Sequence, residues 1–79
     1  MKVFAITTNY DKSYTRLFQK RKNAIRAMFY TASRDFDIDC GGEFTTDEDI
    51  IDYLCSCEDD EINKFFCGFI TFRRYYTED

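Results

Sequence analysis

Acidic side chains are the commonest groups in this chain that could take part in chemistry. Of the fifteen Asp and Glu residues, twelve lie between Asp35 and Glu61, a segment without Lys or Arg. Paired carboxylates can act as general acid and general base. The chain has no His and no glycine-rich loop for phosphate, however, and crowded surface acids are far commoner than catalytic ones. The sequence therefore predicts a protein that is not an enzyme.

Four cysteines could act as zinc ligands. Structural zinc usually takes ligand pairs separated by about two to four residues, whereas one residue separates Cys55 from Cys57, and Cys40 and Cys67 stand alone. Core packing of reduced thiols is the better interpretation. We therefore expect no metal and no cofactor.

The acids that alternate from Asp35 to Asp39 resemble the start of a calcium loop. Such a loop needs Gly at its sixth position and an acid at its twelfth, and Cys40 and Thr46 stand there. A short strand with one wet side fits better, with a weak metal site as the alternative.

The two parts of the chain carry opposite charge. Residues 1–34 hold eight basic side chains and one acidic, while residues 35–79 hold three basic and fourteen acidic. Fixed carboxylates on ordered elements can imitate phosphates and occupy the basic groove of a nucleic-acid-binding protein. The side chains that we expect to bind such a partner are Asp47, Glu48, Asp49, Asp52, Tyr53, Asp59, Asp60 and Glu61.

Three other interpretations of the charge remain open. The basic segment could bind nucleic acid directly, through Arg16, Lys20, Arg21, Lys22 and Arg26, with Tyr14 and Tyr30 beside them for stacking on bases. Opposite charges on neighbouring copies could build a self-assembling structural subunit. The basic helix could also lie against the protein's own acidic segments, so that the charges screen one another and the acids serve solubility.

The elements that must position these residues follow from hydrophobic spacing. Residues 2–9 and 13–19 read as two strands of a hairpin around the turn at Asn9–Lys12. Ala24, Ile25, Met28, Phe29 and Ala32 recur at helical spacing, which predicts a first helix from Arg21 to Arg34. Thr45–Glu48 forms a capping box, in which Thr45 would accept from the Glu48 N–H. A second helix follows, with the buried stripe Ile50, Ile51, Leu54 and Cys57.

The last element is predicted to be a strand. After an acidic loop at Glu58–Glu61, apolar residues alternate from Phe65 to Phe72 on both sides of the strand. The order β-β-α-α-β predicts an α+β fold with a three-stranded antiparallel sheet and two helices on one face. The other face would then need a partner, a second subunit or a curled sheet to cover its aromatic side chains.

Length and composition favour one compact domain over residues 1–79. Proline is absent and aromatic residues reach 19%. The apolar N-terminal run is too short for a signal peptide, and no stretch is long enough to span a membrane. We therefore expect a cytoplasmic protein.

The chain resembles the small early proteins of bacteriophages. It opens with a Lys-Val-Phe-Ala-Ile strand and hairpin, is aromatic-rich and acidic, and carries no catalytic signature. It is similar in size and charge to anti-CRISPR and other anti-defence inhibitors. The resemblance implies an inhibitor in the bacterial host cell that binds a host protein or ribonucleoprotein complex with a basic surface. Because the chain as a whole is acidic and would repel a polyanion, we expect no direct contact with nucleic acid, and we expect none with a membrane. A homodimer is an open alternative.

Overall fold

The computed structural model describes residues 2–9, 15–35 and 46–76. The α+β class, the three-stranded antiparallel sheet and the predicted order of elements are confirmed, and one short additional helix precedes the last strand. Among the described residues, no helix is long and apolar enough to cross a membrane. The elements are β1 (Lys2–Thr8), β2 (Thr15–Phe18), α1 (Arg21–Asp35), α2 (Asp47–Cys55), α3 (Asp59–Phe65) and β3 (Ile70–Tyr76).

The sheet has the order β2-β1-β3, with β1 antiparallel to both neighbours. Side chains alternate between the faces of a strand, so Phe4 and Ile6 of β1 share a face with Phe72 of β3, and all three are buried in the helix-covered core. The opposite face carries Leu17 and Tyr75, which are 67% and 47% exposed. The helices therefore cover one face of the sheet.

The structure confirms the first helix and its predicted hydrophobic stripe. All five residues of the predicted stripe are buried: Ala24, Ile25, Met28, Phe29 and Ala32. The observed range Arg21–Asp35 exceeds the predicted one by a single residue. Asp35 thus ends α1, while the rest of the short strand predicted at residues 35–39 lies outside the described residues, as does most of the hairpin turn.

The second helix begins one residue later than the capping box predicted. Thr46 is the N-cap, and its side-chain oxygen accepts a hydrogen bond from the backbone N–H of Asp49 at 3.2 Å. Thr45, the predicted cap, lies outside the described residues. Placing the cap at Thr46 puts three acids in the first turn, where the helix dipole favours negative charge. Ile50, Ile51 and Leu54 are buried as predicted.

The acidic segment at residues 58–61 is not a loop, as we predicted, because Asp59–Phe65 form α3. Its acidic first turn and Lys64 in its last turn suit the helix dipole, and Ile62 is buried. A turn follows, with positive φ angles of 56° at Cys67 and 81° at Gly68. Glycine adopts this left-handed conformation without the Cβ clash that other residues meet. The strand β3 therefore starts only at Ile70.

The shorter last strand leaves fewer aromatic side chains on the open face of the sheet than the sequence predicted. Because Phe65 ends a helix and Phe69 lies in the turn, these aromatic side chains do not belong to the sheet. On the open face, β3 contributes Thr71, Arg73 and Tyr75 instead. Cys67, which we expected to pack inside a strand, is exposed in the turn.

Replacing the observed cap should destabilise the fold. We expect Thr46→Ala to lower the free energy of unfolding by about 1 kcal/mol, because the Asp49 N–H loses its acceptor. Urea denaturation measures this change, with Thr46→Ser as the variant that keeps the hydroxyl. Thr45→Ala is the matched control at the neighbouring threonine. A larger loss at Thr45 than at Thr46 would contradict the observed cap.

Candidate functional site

The eight predicted partner-binding residues lie on two consecutive helices. Five are on α2 and exposed, and three form the first turn of α3, where Asp60 and Glu61 are exposed and Asp59 is half-buried. Each helix thus begins with three carboxylates next to the positive end of its dipole, a favourable arrangement. The structure shows that these residues do not all have the same surroundings.

Two of the predicted residues on α2 face α1. Lys22 Nζ lies 3.6 Å from Asp52 Oδ1, and an Arg26 guanidinium nitrogen lies 3.3 Å from Glu48 Oε2. The two basic residues are one helical turn apart on α1, and the two acids are one turn apart on α2. Because the earlier basic residue pairs with the later acid, the two helices are antiparallel at this contact. These side chains are largely exposed, so each pair contributes only about 0.2–1 kcal/mol. Their main effect is to neutralise the carboxylates that face α1.

Arg21, the first residue of α1, ties the end of α2 to the start of α3. Its guanidinium donates to the carbonyl oxygens of Cys55 at 2.7 Å and Cys57 at 2.6 Å, and to Asp59 Oδ1 at 3.1 Å. It also lies over the ring of Phe72, 5.6 Å from the centroid. The side chain is 23% exposed. Arg21 therefore satisfies carbonyls at the end of α2 while pairing with the first turn of α3.

Asp59 accepts from a second arginine as well. Arg74 of β3 approaches the same Asp59 oxygen at 3.4 Å and stacks over Phe4, 5.4 Å from the ring centroid. Arg21, Asp59 and Arg74 line a shallow cleft of about 540 Å³. With two cations around one half-buried carboxylate, Asp59 is a structural partner of α1 and β3. Because both arginines already contact its carboxylate, we do not assign Asp59 to the surface that could meet a basic partner.

The remaining predicted residues stay on the surface. Asp49 and Tyr53 are one helical turn apart on α2 and so share a face, and Tyr53 is 47% exposed. We call the predicted residues other than Glu48, Asp52 and Asp59 the exposed acidic set, because all five are exposed: Asp47, Asp49, Tyr53, Asp60 and Glu61. Sequence reasoning left out Glu58, which is also exposed and precedes α3.

The basic residues of the hypothesis of direct nucleic-acid binding also differ in their surroundings. Arg21, Lys22 and Arg26 pair with acids, and Lys20 is exposed. A cleft of about 550 Å³ opens between α1 and β2, and Arg16 and Arg26 line it. Two further lining residues follow Arg26 at intervals of four on α1: Tyr30, which the sequence had already suggested for stacking, and Arg34, which it had not assigned. That spacing was the available signal.

The described cysteines pack or lie at the surface, and none is placed for metal binding. Cys55 and Cys57 pack against the core, and the described residues contain no group of His, Cys, Asp or Glu arranged to hold a metal ion. Burial raises the pKa of the Cys55 thiol, an effect that the nearby Arg21 and Lys22 charges oppose. Because the thiolate is the reactive form, Cys55 is a weak nucleophile.

No protein-family model matches the chain, and comparisons with curated proteins and with solved structures give no match.

Replacing Arg21 should be the most damaging change of a basic side chain on α1. We expect Arg21→Ala to lower the free energy of unfolding by about 3 kcal/mol, because charge-assisted hydrogen bonds to two carbonyls and a carboxylate are lost. Arg21→Lys should recover only part of this, because an ammonium lacks the planar fork. Lys22→Ala, the neighbouring control, should cost less than about 1 kcal/mol.

Urea denaturation gives all three values for the Arg21 and Lys22 variants. Equal losses for Arg21→Ala and Lys22→Ala would show that the junction between α2 and α3 does not depend on Arg21. If Arg21→Ala does not fold, the Arg21→Lys value makes the same comparison.

Thiol labelling should separate Cys55 from Cys67. At about pH 8.5, near the ordinary thiol pKa, iodoacetamide should modify exposed Cys67 well before Cys55, and peptide mass spectrometry measures both. The raised pKa of Cys55 in the folded state also makes the free energy of unfolding depend on pH. The contribution of this thiol to stability is present below the ordinary thiol pKa and is lost as pH rises through the raised value. Labelling in denaturant is the control, where the two rates should converge. Faster labelling of Cys55 in the folded protein would contradict this.

Proposed function

We propose that this protein is a non-enzymatic inhibitor of the bacteriophage type, anti-CRISPR or a similar host-takeover protein, which binds a nucleic-acid-binding effector in the bacterial cytoplasm. The observation that supports this proposal is the charge of residues 47–65, which carry eight acidic side chains and one basic, Lys64. These charges lie on α2, on α3 and at their junction. A dense surface of one sign attracts an oppositely charged groove and can occupy the place of phosphates.

Ion pairs within the protein make three of the predicted carboxylates less available to a partner. Glu48, Asp52 and Asp59 pair with basic side chains of α1 and β3, so their charge is already compensated. We assign the interaction to the exposed acidic set, whose five side chains are all exposed on α2 and α3. Its carboxylates pair with Lys and Arg of the effector, and Tyr53 adds the aromatic contact that protein interfaces favour.

The same ion pairs hold the acidic helices in place. Arg21 joins the end of α2 to the start of α3, and Ile51, Leu54 and Ile62 anchor both helices in the core. A surface that is ordered before binding loses less conformational entropy when it meets its partner. An array of acids on anchored helices is therefore better suited to high affinity than a flexible acidic tail.

The proposal predicts a charge-dependent complex. Reversing two members of the exposed acidic set with Asp49→Lys and Asp60→Lys should weaken binding of the effector by more than about tenfold, because attractions become repulsions at the interface. The effector is recovered from a bacterial lysate with the wild-type protein, purified, and titrated with each variant. Binding should also weaken as salt rises, because exposed charges are screened over about 8 Å at physiological ionic strength.

The matched control reverses two exposed basic residues elsewhere, with Lys20→Glu and Arg73→Glu. This variant should bind the effector at least as well as the wild type, and nucleic acid should compete with either protein for the effector. The proposal fails if the acidic variant binds normally, if the basic variant alone loses binding, or if nucleic acid does not compete.

A further inference from the structure

The cleft between α1 and β2 results from the way the helices cover the sheet. Of the three helices, α2 packs on α1 and α3 packs on β3, so α1 alone lies over the edge strand β2. The helix-facing side chains of β2 are Arg16 and Phe18, which pair across the sheet with Ile6 and Phe4. Arg16 is exposed and Phe18 half-buried. A cleft therefore opens between α1 and this edge of the sheet, and Phe18 makes its floor partly apolar.

Three arginines and no acid line this cleft among the described residues. Arg16 comes from β2, and Arg26 and Arg34 come from α1, where eight residues separate them by about 12 Å of helix. Arg26 donates to Glu48 through one terminal nitrogen, while its Nε is buried and has no hydrogen-bond partner among the described residues. An anion that enters the cleft would therefore meet the other N–H groups of this guanidinium, which carries five donors.

An aromatic ring lies between two of the cations. Tyr30 is four residues from both Arg26 and Arg34, so the three side chains form one row along α1. Tyr30 is 45% exposed, and buried Phe29 contacts its ring edge-on at a centroid distance of 5.6 Å. The row therefore offers an exposed aromatic face about one helical turn from a cation on either side.

We propose that this cleft binds single-stranded nucleic acid, with Arg16, Arg26 and Arg34 holding phosphates and Tyr30 stacking on a base. The alternation of cation, ring and cation matches the alternation of phosphate and base along a strand, and stacking on an aromatic side chain suits unpaired bases. An acidic peptide would use the arginines but not the exposed ring. A duplex would offer phosphates but no free base face.

This inference concerns a different surface from the proposed protein-binding function. Arg26 lies at the border, because it contacts Glu48 of α2 and also lines the cleft. The exposed acidic set belongs to α2 and α3, and neither helix contributes a lining residue. The cleft can therefore be tested independently of the acidic surface.

Fluorescence anisotropy with a labelled oligothymidine of about 15 nucleotides, a length within the usual range of single-strand sites, tests the proposal. With three phosphate contacts, the affinity of the wild-type protein should fall about 20-fold between about 50 and 200 mM salt. The double variant Arg16→Gln and Arg34→Gln should bind at least about tenfold more weakly, with a shallower salt dependence. Tyr30→Ser should also lose about tenfold.

Arg73→Gln is the matched control, because it removes an exposed arginine on the opposite face of the sheet and should leave affinity unchanged. Circular dichroism checks that each variant is folded. If the double variant does not fold, the single variants Arg16→Gln and Tyr30→Ser, both at exposed positions, answer the same question.

Four results would overturn the proposal. They are no binding of the oligonucleotide by the wild type, binding that the cleft variants leave unchanged, equal affinity for duplex and single strand, and equal affinity for an oligoglutamate peptide. The last result would assign the cleft to acidic protein segments. None of these results bears on whether the exposed acidic set binds an effector, because that experiment uses other variants.

Discussion

The position of the acidic helices depends on one half-buried side chain, Arg21. A guanidinium that has lost much of its hydration needs acceptors for its N–H groups. Arg21 finds two carbonyl oxygens, one at the last residue of α2 and one just beyond it, and one carboxylate at the start of α3. The carbonyls at a helix end lack partners within the helix. The contact therefore satisfies both sides, and it fixes where α2 ends and where α3 begins.

The same contact organises the charge of the molecule. Residues from α1 and β3 meet the inner carboxylates of α2 and α3, so opposite charges cancel along the seam between these elements. The two proposed contact surfaces are separated in space, with acids on the outer surface of α2 and α3 and arginines in the cleft on the other side of α1. The sequence left open that the basic helix lies against the protein's own acidic segments. The structure shows this for part of the charge, and surfaces of opposite sign lie on the two sides of α1.

Sequence patterns predicted α1 and the core stripe of α2 because many residues repeat the helical period there, and the three-stranded sheet followed from alternation. They missed α3 because its apolar spacing extends over little more than one turn, while Phe65, Cys67 and Phe69 happen to alternate as in a strand. The acids at its start and Lys64 at its end were the helix signal. The division of the acidic residues was not predictable in the same way, because pairs such as Arg26 with Glu48 depend on how two helices pack.

The edge of the sheet limits how a partner can bind. An exposed strand edge can pair with another chain, but at Phe72 the side-chain amide of Asn63 takes the place of a neighbouring strand. It accepts from the Phe72 N–H at 2.7 Å and donates to the Phe72 carbonyl at 3.1 Å. A strand added along the start of β3 would have to displace this clamp and the helix that carries it. The other edge strand, β2, carries the charged side chain of Arg16 within its described residues Thr15–Phe18. Both features disfavour strand addition, so the proposed partners would be recognised by side chains, and these are concentrated on the charged surfaces of α1, α2 and α3.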